Sequence, residues 1–227
     1  MSYFKLTNKK ENHNGFQFKT GLNTDILPFN DDPNDSCCKG GLYFSDEKHI
    51  YSFLGNHYWI REVTLPENEK VIRDKRDKWR THQLILSKRK DLSKVATWKW
   101  MLKQGIDIQA KDNGAIRWAS QNGHLPVVKY LHENGSDITA FNNYAIRWAS
   151  LNGHLEVVKY LHENGADIQA DDNLSIRWAS LKGHLEVVKY LHENGADIQA
   201  NNYAIRWASS NGHLPVVAYL KKHGAKL

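Results

Sequence analysis

The pentad Ile-Arg-Trp-Ala-Ser occurs four times, beginning at Ile116, Ile146, Ile176 and Ile205, so successive copies are 30, 30 and 29 residues apart. A period of that size, held over half a chain, constrains the fold more than any other feature, because it specifies supersecondary units stacked side by side. The full unit is clearest between Tyr144 and Asn173. It predicts a first helix over about Ala145 to Leu151, with Ile146, Ala149 and Ser150 on one face. Asn152-Gly153 ends that helix, since glycine enters the left-handed conformation without a Cβ penalty. A second helix follows from about His154 to Asn164, carrying a stripe of Leu155, Val157, Val158 and Leu161. Helices of ten residues are marginal alone in water, so each pair must lean on the next.

One position supports the start of the second helix. The third residue after each Asn-Gly or Lys-Gly glycine is Pro126, Glu156, Glu186 or Pro215. Proline is tolerated in the first helical turn, where its missing N–H costs nothing, and glutamate is favoured there by the helix dipole.

The run from Gly153 to Asp167, Gly-His-Leu-Glu-Val-Val-Lys-Tyr-Leu-His-Glu-Asn-Gly-Ala-Asp, resembles the second helix and loop of an ankyrin repeat. The resemblance extends over about Leu92 to Leu227. Ankyrin units usually run to about 33 residues and open on Thr-Pro-Leu-His. Here that tetrad reads Tyr144-Ala-Ile-Arg147, and about three residues are missing from the preceding finger. Shortened units of this kind resemble the ankyrin-repeat proteins of giant DNA viruses of the mimivirus type. The resemblance implies a non-enzymatic adaptor that binds another protein, with capture of a host protein by a virus as the family-level expectation.

The fold expected is mainly α: a solenoid of stacked helix pairs behind a small α/β or α+β N-terminal domain. The domain is placed at 1–83 and the array at 84–227. The array divides into a degenerate leader at 84–113, units at 114–143, 144–173 and 174–202, and a C-terminal cap at 203–227. In the leader, Trp98, Trp100 and Met101 fall where later units have Val, Tyr and Leu, so a second helix is expected there. Arg89, however, lands where the others bury a small residue. In the cap, Lys221 and Lys222 suit a last helical turn open to solvent.

The front half reads less regularly. Residues 1–35 are polar, with only Phe16-Gln-Phe-Lys alternating, and Asn30 to Ser36 is a loop on turn chemistry. Strands are expected at Gly41–Ser45, Tyr58–Leu65 and Val71-Ile72. A helix is expected from Asp46 to Leu54, and either a strand or a short helix from Trp79 to Leu86.

Charge and composition limit the partners. Of the net +6, residues 1–113 hold 20 Lys+Arg against 15 Asp+Glu, and residues 114–227 hold 11 against 10. A nearly neutral array argues against a nucleic-acid glove. The ten cations between Lys70 and Lys94 could meet phosphates, although such runs are usually solvated faces. The chain begins without an apolar signal region, and no apolar run approaches a membrane span. Cys37 and Cys38 are adjacent, which disfavours a disulfide between them. These features favour an intracellular monomer, in a host cytoplasm if the viral resemblance holds.

Three sets of residues stand out as candidates. Two histidine columns, His124, His154, His184 and His213, then His132, His162, His192 and His223, cannot converge on one metal when helices stack 8–10 Å apart. Structural hydrogen bonding is the better expectation, and neither a cofactor nor a metal is called for. The ladder Arg117-Trp118, Arg147-Trp148, Arg177-Trp178 and Arg206-Trp207 is identical in every copy. That favours a stacking role, with each arginine paired to a loop carboxylate such as Asp167. Positions that differ between near-identical copies are better candidates for contact with a partner protein. They are Phe141, Tyr144, Leu151, Asp171, Asp172, Leu174, Leu181 and Tyr203, within the loops and helix ends that face one side of a solenoid. No phosphate loop, metalloprotease motif or nucleophile elbow is present. The alternative is an enzymatic or nucleic-acid-binding function in the N-terminal domain, with the array selecting the target.

Overall fold

The computed structural model describes residues 2–13, 15–35, 39–55, 57–74 and 77–227. Cys37 and Cys38 lie outside the described residues, as does the thiol chemistry considered for them. Two compact units result, 1–111 and 112–227.

The first unit is rich in strands: β1 (Tyr3–Thr7), β2 (Asn12–His13), β3 (Phe16–Gln17), β4 (Gly21–Thr24), β5 (Leu42–Asp46), β6 (Trp59–Thr64), β7 (Val71–Asp74), β8 (Lys78–Thr81), β9 (Gln83–Leu86) and β10 (Lys90–Asp91). The main sheet runs β4-β9-β6-β1-β5-β8-β7, with β10 also on β6, and its pairings are antiparallel. Only His82 separates β8 from β9, so that strand pairs with β5 at one end and β6 at the other. The path β1-β5-β8/β9-β6 therefore returns to itself as a small barrel, with β4 and β7 as the terminal strands of the ladder. Phe18, Leu42, Phe44, Val63, Trp79, Leu84 and Leu86 form its apolar core.

The polar leading segment supplies β1, the central strand, held by both β5 and β6. Two expectations change here. The helix expected from Asp46 is reduced to a single 3-10 turn at Ile50–Phe53. The Asp46 carboxylate accepts from the N–H groups of Lys48 and His49, the bonds a helix-capping aspartate makes, yet only that short turn follows. Trp79 to Leu86 is neither one strand nor a helix but two strands meeting at a bend. The strands expected near 41–45, 58–65 and 71–72 are present as β5, β6 and β7.

The unit also contains α1 (Val95–Lys103), the helix expected in the degenerate leader. Trp98 is fully buried and donates from its indole N–H to the Leu92 carbonyl. Arg89 stays outside a helix, pairing with Glu11 and lying 4.2 Å over the Trp59 ring.

In the array the helices are α2 (Ala110–Gln121), α3 (Leu125–Glu133), α4 (Ala140–Leu151), α5 (Leu155–Glu163), α6 (Ala170–Leu181), α7 (Leu185–Glu193), α8 (Tyr203–Ser210) and α9 (Leu214–Lys222). Ile116, Ile146, Ile176 and Ile205 are fully buried, as are Ala149 and Ala179. The stripes Val127-Val128-Leu131, Val157-Val158-Leu161 and Val187-Val188-Leu191 are buried too. Pro126 and Pro215 sit in the first turns of α3 and α9. First helices pack along their lengths, α4 on α6 and α6 on α8, whereas second helices touch at only a few points. The stack thus tightens on the first-helix side. No helix among the described residues is long and apolar enough to cross a membrane.

Candidate functional site: the ladder and loops of the array

The shortened finger is replaced by an unusual piece of backbone. Phe141, Asn142 and Asn143 all have φ of 56–57°, and Asp171, Asp172 and Asn173 have φ of 56–60°. Each trio is one left-handed turn at the head of a right-handed helix. Such runs cost roughly 1–2 kcal/mol per residue for ordinary side chains, and Asn and Asp tolerate them best. The third residue offsets part of that cost. The Asn143 side-chain oxygen accepts the N–H of Asp167, one unit on, at 2.9 Å, and Asn113 and Asn173 do the same for Asp137 and Asp197. The loop is short because it is clipped to its neighbour instead of extending into solvent.

Both histidine columns also bind across units. His154, His184 and His213 donate from Nε2 to the carbonyls of Gln121, Leu151 and Leu181 at 2.9–3.0 Å. His132, His162 and His192 each meet a tyrosine hydroxyl of the next unit, on Tyr160, Tyr190 and Tyr219, at 2.9 Å. Burial holds the His154 and His184 imidazoles below their ordinary pKa, with the backbone bond opposing. The glycine that ends each first helix serves the same joint. A Cβ on Gly153, whose φ is +76°, would stand 2.6 Å from the His184 ring.

The Arg-Trp ladder is partly interior and partly surface. Trp148 stacks on Tyr144 at 5.3 Å and meets Trp178 edge-on at 5.6 Å. Phe141 contacts Tyr144 at 5.6 Å, and the Arg117 guanidinium lies 5.0 Å from each of those two rings. A second cluster joins Arg177, Tyr203 and Trp207. Arg147 is buried, bonded to the Phe141 carbonyl and paired with Asp171. Asp167, the partner expected for it, instead accepts from the Gln169 N–H. Arg206 is exposed at the end of the ladder, while Trp118 is 5% exposed at the other.

Among the partner-contact candidates, Phe141 is 59% exposed and Tyr203 is 37% exposed. Asp171 and Asp172 are exposed, and Tyr144, Leu151, Leu174 and Leu181 are half-buried. Leu151 and Leu181 spend their carbonyls on the histidine joints. Phe141, Tyr144 and Trp148 form a continuous aromatic run; no such contact joins Leu174 to it. The left-handed turns escaped sequence reasoning, although four loops ending in Asn, at Asn113, Asn143, Asn173 and Asn202, carried their signal.

In the front unit, the described cations of the 70–94 stretch include one deep in the interior and several paired at the surface. Arg80 is 1% exposed and donates to the carbonyls of Asp32 and Asp35 and to the Tyr43 hydroxyl. Lys70 pairs with Asp31, Arg73 with Asp77, and Arg89 with Glu11.

Stacked helix pairs with an apolar seam, tied by repeated side-chain bonds and showing one aromatic face, define a repeat solenoid. The chain belongs to the ankyrin-repeat family, matching the description "Ankyrin repeats (3 copies)" over residues 84–172, 116–202 and 146–227. Its relatives include proteins of Acanthamoeba polyphaga mimivirus. One, named as an ankyrin repeat protein, is 40% identical over 57% of this chain and 65% of its own length. A second, named as uncharacterized, is 39% identical over 56% of this chain and 94% of its own length. A third, again named as an ankyrin repeat protein, is 41% identical over 56% of this chain but only 40% of its own length. The chain therefore spans less than two thirds of two of these three relatives. Ankyrin repeats are in general modules for binding other proteins.

Proposed function

We propose that the repeat array binds a partner protein on its concave face, through Phe141, Tyr144, Leu151, Asp171, Asp172, Leu174, Leu181 and Tyr203. The observation that carries this reading is Phe141. A large apolar side chain, 59% exposed, is held in a left-handed conformation that suits it poorly and meets Tyr144 edge-on at the end of an aromatic run. Exposed aromatic residues beside arginine have the composition of binding hot spots. Exposed Asp172, beside an Asp171 already paired with Arg147, adds a negative point that would favour a basic group on the partner. The mimivirus relatives support an adaptor role in which the partner is a host protein met in the host cytoplasm. A Phe141→Ala, Tyr203→Ala double variant should keep the parental circular dichroism and melting curve while losing partners recovered by affinity capture from amoebal lysate. Recovery of the same proteins at parental yield would remove the surface from consideration.

A further inference from the structure

A second site lies in the strand-rich unit, and it owes nothing to the array. Strand β1 pairs with β6 along Tyr3 to Thr7 but with β5 only at Tyr3 and Phe4. From Lys5 onward β1 and β5 part, and a cavity of about 310 Å³ lies there. That volume falls within the range of small-molecule pockets. Four basic side chains reach its walls from four different elements: Lys5 from β1, His13 from β2, Lys78 from β8 and His57 from the segment before β6. No aspartate or glutamate lines it among the described residues. Phe18, Phe44 and Phe53 supply an apolar part of the same lining.

Lys5 is the centre of the arrangement. It is 6% exposed, its ammonium donates to the Tyr43 carbonyl at 2.6 Å, and the Phe18 ring lies 4.5 Å away. An ammonium has three donors, and the protein satisfies one. No described carboxylate approaches within 4.0 Å of it. Lys78 stands 4.0 Å over the Tyr43 ring and 3.8 Å from Asp74. Burial penalises a lysine cation that has no counter-charge, so Lys5 would hold its proton best with an anion beside it in the cavity.

We propose that this cavity binds a small organic carboxylate with an apolar body, its charged end at Lys5 in the split between β1 and β5 and its body against the phenylalanines. The electrostatics agree with the geometry. Burial first, and then Lys78, bring the Lys5 pKa down to about 7. Burial and the neighbouring lysines also hold the His13 imidazole low. His57 is likewise lowered by burial and by Lys5, against two backbone bonds. Arg61, opposite Lys5 in the β1–β6 register, is already paired with Glu11. Tyr43 receives a bond from Arg80 on its hydroxyl. An arriving carboxylate would raise the Lys5 pKa and draw a proton in, so its affinity should fall as pH rises through about 7.

The test is calorimetric titration of the full chain with benzoate, benzamide and inorganic phosphate near neutral pH. Benzoate should bind at least about tenfold more tightly than its neutral amide or phosphate, the size expected of one charge-assisted contact. Lys5→Met should abolish the benzoate preference, and proton uptake should accompany binding in buffers of different ionisation enthalpy. Lys78→Gln is the second variant, since it leaves β1 intact and should weaken benzoate in a protein with parental circular dichroism. Equal affinity for benzoate and benzamide, phosphate binding as tight as benzoate, no heat with any of the three, or full benzoate affinity in both variants would each overturn the proposal.

Discussion

The two units solve the problem of burying a chain in opposite ways. The array repeats one small apolar seam, and its polar groups work at the joints between units, where Asn143, His154 and His162 each bind a neighbour. The barrel carries far more charge into its interior: Lys5, Arg61, Glu11, Asp74 and Arg80 are all buried, whereas the array buries Arg147 alone among its described charged residues. Neighbour-to-neighbour stability lets an array be extended or trimmed at little cost to its other units. A barrel with internal ion pairs cannot be trimmed, and such chemistry suits a site. The two proposals follow that division, a large surface on one unit and a small-molecule cavity in the other.

The sharpest way to break that contrast is to place a charge in the array. Ala179 is fully buried on α6, between helices that approach closely. Ala179→Glu should bury an unpaired carboxylate and cost about 3–5 kcal/mol. Urea unfolding followed by far-ultraviolet circular dichroism would read it; a parental transition would mean that this face is not the seam. The barrel should show the converse. Glu11 accepts from both Nε and Nη2 of Arg61 at 2.7–2.9 Å, with Arg89 on its other oxygen. Glu11→Ala leaves Arg61 buried without its carboxylate and should cost about 3 kcal/mol, the usual penalty for stripping one partner from a buried pair. If Glu11→Ala proved neutral, the interior charges would be incidental, and the distinction between the units would weaken.

The same contrast explains what could be read from the sequence. The seam was legible because it is written four times, and because apolar positions at helical spacing have one interpretation. Ala149 and Ala179 follow from that spacing alone. Strand β1 was not legible. Phe4 and Leu6 face one side and Lys5 and Thr7 the other, yet all four are buried, so the usual alternation of exposed and buried positions is absent. A lysine in the middle of Tyr-Phe-Lys-Leu-Thr reads as surface until the barrel closes around it. The cavity was invisible for the same reason, since its four basic residues are separated by up to 73 positions, from Lys5 to Lys78. The loop carboxylate was half-legible: an acidic partner for Arg147 was expected, but the left-handed turn delivers Asp171 where a regular finger would have offered Asp167.

A smaller effect tests the turn itself. Asp172 is exposed, with φ of 60°. Asp172→Gly should relieve the strain of the left-handed conformation and stabilise the array by up to about 1 kcal/mol, glycine paying no Cβ penalty there. A loss of stability would mean that the aspartate side chain, rather than the backbone, holds the turn.

The smallest expected effect separates the units by pH. His154 and His184 have folded-state pKa values below the ordinary 6.5, chiefly through burial. The unfolded chain therefore binds more protons in that window, so stability is fully present above about pH 6.5 and is lost as pH falls through the folded values. Both rings are only half-buried, so solvent limits the size of the loss. His13 and His57 give the barrel a tendency in the same direction over the same window. Only the barrel holds a lysine brought down from 10.5 to about 7. Its unfolded form also binds the extra proton, so the barrel alone should gain stability as pH rises from about 7 toward 10.5. Hydrogen exchange resolved by segment would follow both units in one sample, with protection in α4 to α7 flat above neutrality while protection in β1 and β6 rises. Glutamine at 154 and 184 can still donate to the Gln121 and Leu151 carbonyls without titrating. His154→Gln, His184→Gln should therefore flatten the acid limb of the array and leave the alkaline gain of the barrel untouched. An alkaline gain in the array, or none in the barrel, would show that the buried charge is not where the two units differ.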